Sequence, residues 1–129
     1  MKYLLDTNAV IALMKGNEVF CSRLRQHLPA DFGLPSIVAH ELYYGAYNSQ
    51  APEKNLARVE ALQFETISLD REDARRAGEV RAILRKAGKP VGAYDLLIAG
   101  QALARDLVVI THNVTEFRQV PDLRIEDWE

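Results

Sequence analysis

Three carboxylates in this chain stand where a fold with no reaction to run has little use for them, and a fourth lies in a polar cluster. Asp6 closes the short apolar run Tyr3-Leu4-Leu5. Glu41 follows Ile37 by four residues and Val38 by three, so on a helix it shares a face with apolar side chains. Asp95 stands directly before Leu96-Leu97-Ile98-Ala99. The cluster Thr111, His112, Asn113, Glu116, Phe117 follows the apolar stretch Leu107–Ile110. Thr111 and Asn113 are short polar groups that can orient carboxylates or a water. An unpaired buried charge is costly, so carboxylates in such places need a cation or a proton. Hard dications such as Mg²⁺ and Mn²⁺ take oxygen ligands and keep several waters. Two of them about 4 Å apart can activate a water and steady the leaving oxygen in phosphodiester hydrolysis. Without metal, the acids repel and at least one has a raised pKa.

Each acid also has a plainer reading. Asp6 can cap the helix that follows it, and Asp95 has a sufficient structural role as the N-cap of Leu96–Arg105. Glu41 can sit at the edge of the stripe and reach solvent or an Arg. The cluster after Ile110 can be an ordinary polar loop. The combination carries more weight than any member.

The elements that must position these groups alternate between strand and helix. The expected strands are Tyr3–Leu5, Phe32–Leu34, Phe64–Leu69, Leu107–Ile110 and a final one near Arg124-Ile125. Helices are expected over Thr7–Met14, from an Asn17 cap through Leu28 to Pro29, from a Ser36 cap over Ile37–Tyr47, and over Glu53–Leu62. The clearest helix starts at Asp70, with Asp73 as its capping-box partner. Its stripe is Ala74, Ala77, Val80, Leu84 and Ala87, and Gly88 and Pro90 stop it. Leu96–Arg105 is apolar nearly all round and is expected to be buried, and a short helical turn follows Asn113. This β-α-β-α-β-α-β-α-β order predicts an α/β fold with a mostly parallel sheet of about five strands. Asp6 and the Thr111 cluster then fall at the carboxyl ends of strands, where open α/β sheets place their ligand crevice.

Composition narrows the function classes. A chain of 129 residues, 48% hydrophobic and 26% charged, is expected to form one globular domain, residues 1–129. Sixteen Lys and Arg against eighteen Asp and Glu give a net charge of −2, which excludes a globally basic nucleic-acid binder but not a local basic surface. One cysteine, Cys21, excludes an internal disulfide framework and a multi-cysteine zinc site. No apolar run approaches the roughly 18 residues of a membrane span. The start Met1-Lys2-Tyr3-Leu4-Leu5-Asp6 meets an acid too early for a signal peptide, so a cytoplasmic location is expected.

Five blocks in the right order carry a family resemblance. They are Leu5-Asp6-Thr7-Asn8, Glu41-Leu42-x-x-Gly45-Ala46, Val91-Gly92-x-Tyr94-Asp95-x-x-Ile98-Ala99, Thr111-x-Asn113-x-x-Glu116-Phe117 and Leu123-x-x-Glu126-Asp127-Trp128. The chain resembles PIN-domain ribonucleases, and more closely the VapC toxins of bacterial type II toxin–antitoxin pairs. The resemblance implies a three-layer α/β/α fold. It also implies a Mg²⁺- or Mn²⁺-dependent endoribonuclease held inactive by a VapB-type antitoxin, with operator DNA reached only through that antitoxin, and a homodimer. Asp6, Glu41 and Asp95 match the family's acids as catalytic and metal-holding residues. The fourth acidic position falls on Glu116, or on Asn113 in its place, and Thr7, Asn8, Thr111 and Asn113 are supporting polar groups. The stretch Gly45-Ala46-Tyr47-Asn48-Ser49-Gln50-x-Pro52-Glu53-x-Asn55-Leu56 is similar to the subgroup that cuts initiator tRNA in its anticodon loop. Ala93 departs from that subgroup's usual Pro, a change expected to alter loop stiffness rather than chemistry.

Other features bear on the same question. Arg71, Arg75, Arg76, Arg81, Arg85, Lys86 and Lys89 outnumber Glu72, Asp73 and Glu79, which makes this segment a solvated helix face or an electrostatic track for RNA. The acidic tail Glu116–Glu129 is expected to lie elsewhere. Tyr43, Tyr44 and Tyr47 fit a core, dimer or antitoxin surface better than base stacking. His27, His40 and His112 are expected to be structural, and Cys21 a buried small hydrophobe. Two other functions compete with the metal-dependent ribonuclease: a metal-free ribonuclease using His acid–base chemistry, and a non-catalytic RNA- or protein-binding module whose acids only cap helices.

Overall fold

The computed structural model describes residues 1–129. In chain order the elements are β1 (Tyr3–Leu5), α1 (Thr7–Met14), α2 (Glu18–Leu24), β2 (Phe32–Pro35), α3 (Ser36–Tyr47), α4 (Pro52–Glu60), β3 (Glu65–Ile67), α5 (Arg71–Lys86), α6 (Ala93–Arg105), β4 (Val108–Ile110), α7 (Val114–Phe117) and β5 (Ile125–Glu126). All five strands are parallel, in the order β3-β2-β1-β4-β5. The chain therefore runs outward from β1 to β3 and then crosses back to β4 and β5. With right-handed crossovers, α1–α4 cover one face and α5–α7 the other. The direction reverses between β1 and β4, and that switch point is where a crevice opens beyond the strand ends.

Register makes the crevice specific. Leu5 lies beside Ile110, so the next residues, Asp6 and Thr111, emerge side by side. The Asp6 N–H donates to the Ile110 carbonyl at 3.2 Å. The strands are short and their residues deeply buried: Leu4, Leu5, Val109 and Ile110 have no exposed surface. Continuous apolar strands of this kind are what a parallel sheet covered on both faces requires.

Most expected elements appear, and the differences are at their ends. Asn17 caps α2, accepting from the Phe20 N–H at 2.9 Å, but the helix stops at Leu24 and a 3₁₀ turn over Pro29–Asp31 leads into β2. Ser36 is the first residue of α3 rather than its cap, because Pro35 already holds the extended conformation of the cap position. On α5, Ala77, Val80 and Leu84 are buried as expected, whereas Ala74 and Ala87 face solvent. Asp73 is buried instead. Cys21 is half-buried and its thiol points at the Leu13 carbonyl.

Two contacts lock α5 against α6. At Gly100 a β-carbon would come within 2.5 Å of the Ala77 side chain and 2.6 Å of its backbone, so only glycine permits this crossing. One turn away, at the start of α5, the Asp70–Asp73 capping box forms as expected. The Asp73 carboxylate also accepts from Arg105 at 3.0 and 3.2 Å and from Gln101 at 3.0 Å. Burial pushes the Asp73 carboxyl up, but the hydrogen bonds from Arg105, the Asp70 N–H and Gln101, with the Arg105 charge, outweigh it and hold the group below the ordinary carboxylate range.

A second cluster ties down the C-terminus. Trp128 is buried among Tyr3, Phe20, Phe32 and His27, with the His27 ring stacked on it at 5.2 Å and 12°. His27 is thus structural, as expected.

Gly100→Ala is expected to cost about 1–3 kcal/mol by forcing the two helices apart. Asp73→Asn is expected to cost about 2 kcal/mol at pH 7, a fall in Tm of roughly 8 °C, because it removes the buried partner of Arg105 and leaves it only the exposed Asp70 and the Ser68 carbonyl. The Asp73 value is depressed in the folded state, so its contribution is present above the ordinary carboxylate pKa and is lost as pH falls below about 4. Thermal melts of the variant and parent should therefore converge in that acid window.

Candidate active site

The crevice is built from four segments. Asp6 follows β1 and is only 3% exposed. It caps α1, its Oδ1 accepting from the Ala9 N–H at 2.8 Å, and it also receives a hydrogen bond from the buried Thr111 side chain. Capping and facing the crevice are both satisfied by one carboxylate. Glu41, on the inner side of α3, accepts from the Thr7 hydroxyl at 2.9 Å. No Arg pairs with it.

Asp95 is not the N-cap of its helix. The extended Gly92 occupies that position, and α6 begins at Ala93. Asp95 therefore lies in the first turn with its side chain released from capping, where the helix N-terminus favours negative charge. Ala93 is the first helical residue, a position Pro suits and Ala tolerates. The Ala-for-Pro departure thus falls on the start of a helix rather than in a free loop.

Glu116, on α7, is reached from two sides. Its Oε1 accepts from the Gly92 N–H at 2.5 Å, and its Oε2 accepts from the Asn113 amide at 2.8 Å. The same Asn113 amide donates to Asp95 Oδ2 at 3.3 Å, so one side chain spaces two carboxylates. The Thr111 hydroxyl accepts from the Asn113 N–H at 2.9 Å, which sets that turn. Asn8 stands apart: it is exposed and lines a neighbouring hollow with Lys15, His112, Asn113 and Glu129.

The electrostatics follow from crowding. Burial pushes Asp6 up to about 6; the Thr111 and Ala9 hydrogen bonds oppose this, and the Glu129 and Glu41 charges add to it. Asp95 rises to about 7 through burial first, then the Glu116 charge and hydrogen bond, then Asp6 and Glu41. Glu116 moves the other way, because the Gly92 N–H and the Asn113 amide stabilise its charge. The two neighbours are thus pushed apart, Asp95 toward holding a proton and Glu116 toward staying charged. No Lys or Arg forms an ion pair with any of the four acids. A hollow of about 410 Å³ beside them is lined by Glu41, Gly92, Ala93, Tyr94 and Asp95. An adjoining one of about 350 Å³ is lined by Thr7, His40, Glu41, Tyr44 and Tyr94.

Sequence reading missed three participants. Gly92 supplies the N–H that holds Glu116, and its place before Tyr94-Asp95 was the only signal. The acidic tail does not lie elsewhere: Glu129 adds its charge to the field at Asp6. His112 is exposed and meets Asp127 at 3.0 Å, with Glu129 close enough for all three to share one small ion on the surface. The pairing of β5 with β4 and the burial of Trp128 together bring this tail back. His40 is exposed and lies edge-on to Tyr94 at 6.0 Å.

Comparison with known proteins agrees with this layout. The PIN-domain family model matches residues 3–123. The tRNA(fMet)-specific endonuclease VapC of Salmonella typhimurium is 42% identical, with 99% of this chain and 98% of that protein covered. The tRNA(fMet)-specific endonuclease VapC of Shigella flexneri is 38% identical over the same shares. The crystal structure of DNA-bound VapBC from Salmonella typhimurium superposes with a TM-score of 0.94 at 41% identity, covering 100% of this chain and 99% of that one. With the fold, the strand-end crevice and the full-length likeness all in agreement, the chain belongs to the PIN-domain family and, within it, to the VapC proteins.

Proposed function

We propose that this protein is a metal-dependent endoribonuclease toxin, with Asp6, Glu41, Asp95 and Glu116 as its catalytic and metal-holding residues. The observation that carries the reading is four carboxylates in one crevice without a cation among them. The set fits Mg²⁺ or Mn²⁺: every donor is a hard oxygen, and Asp6 and Asp95 carry raised pKa values that a dication would relieve. Asp6, Glu41 and Asp95 would hold the ion directly or through water, with Glu116 completing the site. When bound, the metal lowers the pKa of a water and offsets charge on the phosphate.

The chain's own groups orient the acids. The Thr7 hydroxyl fixes Glu41, the Thr111 side chain fixes Asp6, and Asn113 with the Gly92 N–H fixes Glu116 relative to Asp95. Asp95 is the group able to hold or release a proton near neutrality. Water attacks phosphorus and the 3′-oxygen leaves with a proton, giving a 5′-phosphate and a 3′-hydroxyl. The relatives named for tRNA(fMet) cleavage support initiator tRNA as the substrate, cut in the anticodon loop. The VapBC complexes support inhibition by a VapB-type antitoxin, which would also provide the route to operator DNA. A homodimer acting in the cytoplasm fits such a module, and no helix is long and apolar enough to cross a membrane.

Purified chain free of antitoxin is expected to cut tRNA in Mg²⁺ or Mn²⁺, to stop in EDTA, and to leave 5′-phosphate ends. Asp6→Asn and Asp95→Asn should each lower the rate by on the order of 10²–10³. Intact cleavage in both variants would refute the assignment. Cyclic phosphate ends formed in EDTA would move the chemistry to histidine, and RNA binding without turnover would favour the binding-module reading.

The same crowding governs metal-free stability. Asp6 and Asp95 have folded values above the unfolded one, so their contribution is whole below pH 4 and is lost as pH rises through 6 to 7. In EDTA, Asp95→Asn should raise Tm by on the order of 3 °C at pH 8 and leave it nearly unchanged at pH 4. Millimolar Mn²⁺ should raise Tm of the parent, by mass action on the folded state, and should do so far less for the variant.

A further inference from the structure

Seven basic residues lie between Arg71 and Lys89, and the structure sorts them. Arg75 pairs with Glu72 and Arg76 with Glu79, each within α5, so their charges are spent locally. Asp73, the remaining acid of the segment, is taken by Arg105. Arg71, Arg81, Arg85, Lys86 and Lys89 have no carboxylate within ion-pair distance, and three of these, Arg81, Arg85 and Lys89, fall together. They follow one another at intervals of four residues, so Arg81 and Arg85 share a face of α5, about 6 Å apart along its axis, and Lys89 lies just beyond its end. All three line one cleft of about 310 Å³, completed by Gly88, Val91 and Leu96.

The place of this cleft gives it meaning. Val91 and Leu96 line it, and between them run Gly92, Ala93, Tyr94 and Asp95, which line the hollow beside Glu41. Thus the basic cleft and the acidic crevice adjoin along one six-residue segment that leads into α6. Three like charges without counter-charges repel, and an anion in the cleft would relieve that. A helix C-terminus favours basic residues for its own dipole, which accounts for Arg85 and Lys86 in the last turn but not for Arg81, further back, or for Lys89 beyond it.

We infer that the Arg81–Arg85–Lys89 cleft is a phosphate-binding subsite that holds the RNA backbone next to the bond being cut. This rests on the ribonuclease reading above and adds how the substrate strand is positioned. The cleft offers charge and no stack of aromatic rings, so it would read backbone and not sequence. Its contribution is to hold a polyanion beside a site that otherwise repels it.

The test separates the cleft from the nuclease. Binding is measured in an Asp6→Asn background with fluorescein-labelled bulk tRNA and a labelled 20-nucleotide RNA across a salt series. Replacing Arg81, Arg85 and Lys89 by Gln together should weaken binding about tenfold at 0.1 M salt and make the log–log salt slope shallower by about 2. Arg75→Gln should leave both unchanged. In the active chain the triple variant should raise KM by a similar factor with kcat within twofold. Arg81→Lys with Arg85→Lys should retain binding, since the contact is to charge. Should the triple variant fold poorly by thermal melt, Arg85→Gln alone should still reduce the slope by about 0.7. Cleavage with an unaltered slope and KM would overturn the cleft and keep the nuclease. Cleft-dependent binding with no cleavage in any metal would keep the cleft and overturn the nuclease. Absence of RNA binding by the parent would overturn both.

Discussion

Like charges confined to one crevice are the constraint from which the rest of the structure follows. Four carboxylates meet beyond the ends of β1 and β4, and the chain offers them neither an arginine nor a lysine. Left to relax, such groups would turn to solvent. Each is prevented by a short neutral donor: an N–H at Ala9 and Gly92, a hydroxyl at Thr7, an amide at Asn113. Neutral donors hold the acids in place without cancelling the negative field that would draw a dication. An arginine in the same positions would satisfy the acids and abolish the site.

Holding the acids also requires that their supports not move. Asp6 is fixed by the sheet itself, since Leu5 and Ile110 are in register with no exposed surface. Asp95 has no strand to anchor it and depends on the α5–α6 hairpin. That hairpin is closed by the Gly100–Ala77 approach at one level and by the Asp73–Arg105–Gln101 network at another. The second is a buried ion pair far from the acidic crevice. Its chief role is to specify how α6 lies on α5, and hence where the first turn of α6 points Asp95. Buried pairs are often weak contributors to net stability, so orientation is the better account of why an Asp, and not the neighbouring Ala74, is the buried residue here.

What was legible in the sequence follows the same division. Parallel strands and their order came from short apolar runs, because strands covered on both faces need apolar residues throughout. Asp6 and Glu41 were visible because a carboxylate ending such a run, or on a helix's apolar side, contradicts its surroundings. Asp95 was visible as an acid but misread as a cap, since nothing local says that Gly92 opens the helix three residues earlier. The tail was misplaced for a different reason: charge counting treats Glu129 as solvated, whereas burial of Trp128 in a distant aromatic cluster brings it within reach of Asp6. Periodicity cannot report a contact made across more than a hundred residues.

The net charge of −2 conceals a separation that the fold creates. Acids from the ends of β1 and β4 and from α3, α6 and α7 converge beside Gly92–Asp95, and the unpaired Arg81, Arg85 and Lys89 gather beside Val91 and Leu96, which flank that stretch. A uniform basic surface would hold RNA anywhere along it, and a uniform acidic one would exclude it. With the two fields adjacent along Val91–Leu96, a phosphate chain held on the bases would lie next to the acids. On the proposed reading, the acids would hold a metal there and so place a positive centre on that side. The same four carboxylates that repel RNA in the bare protein would, once a dication is held, define which phosphate is cut.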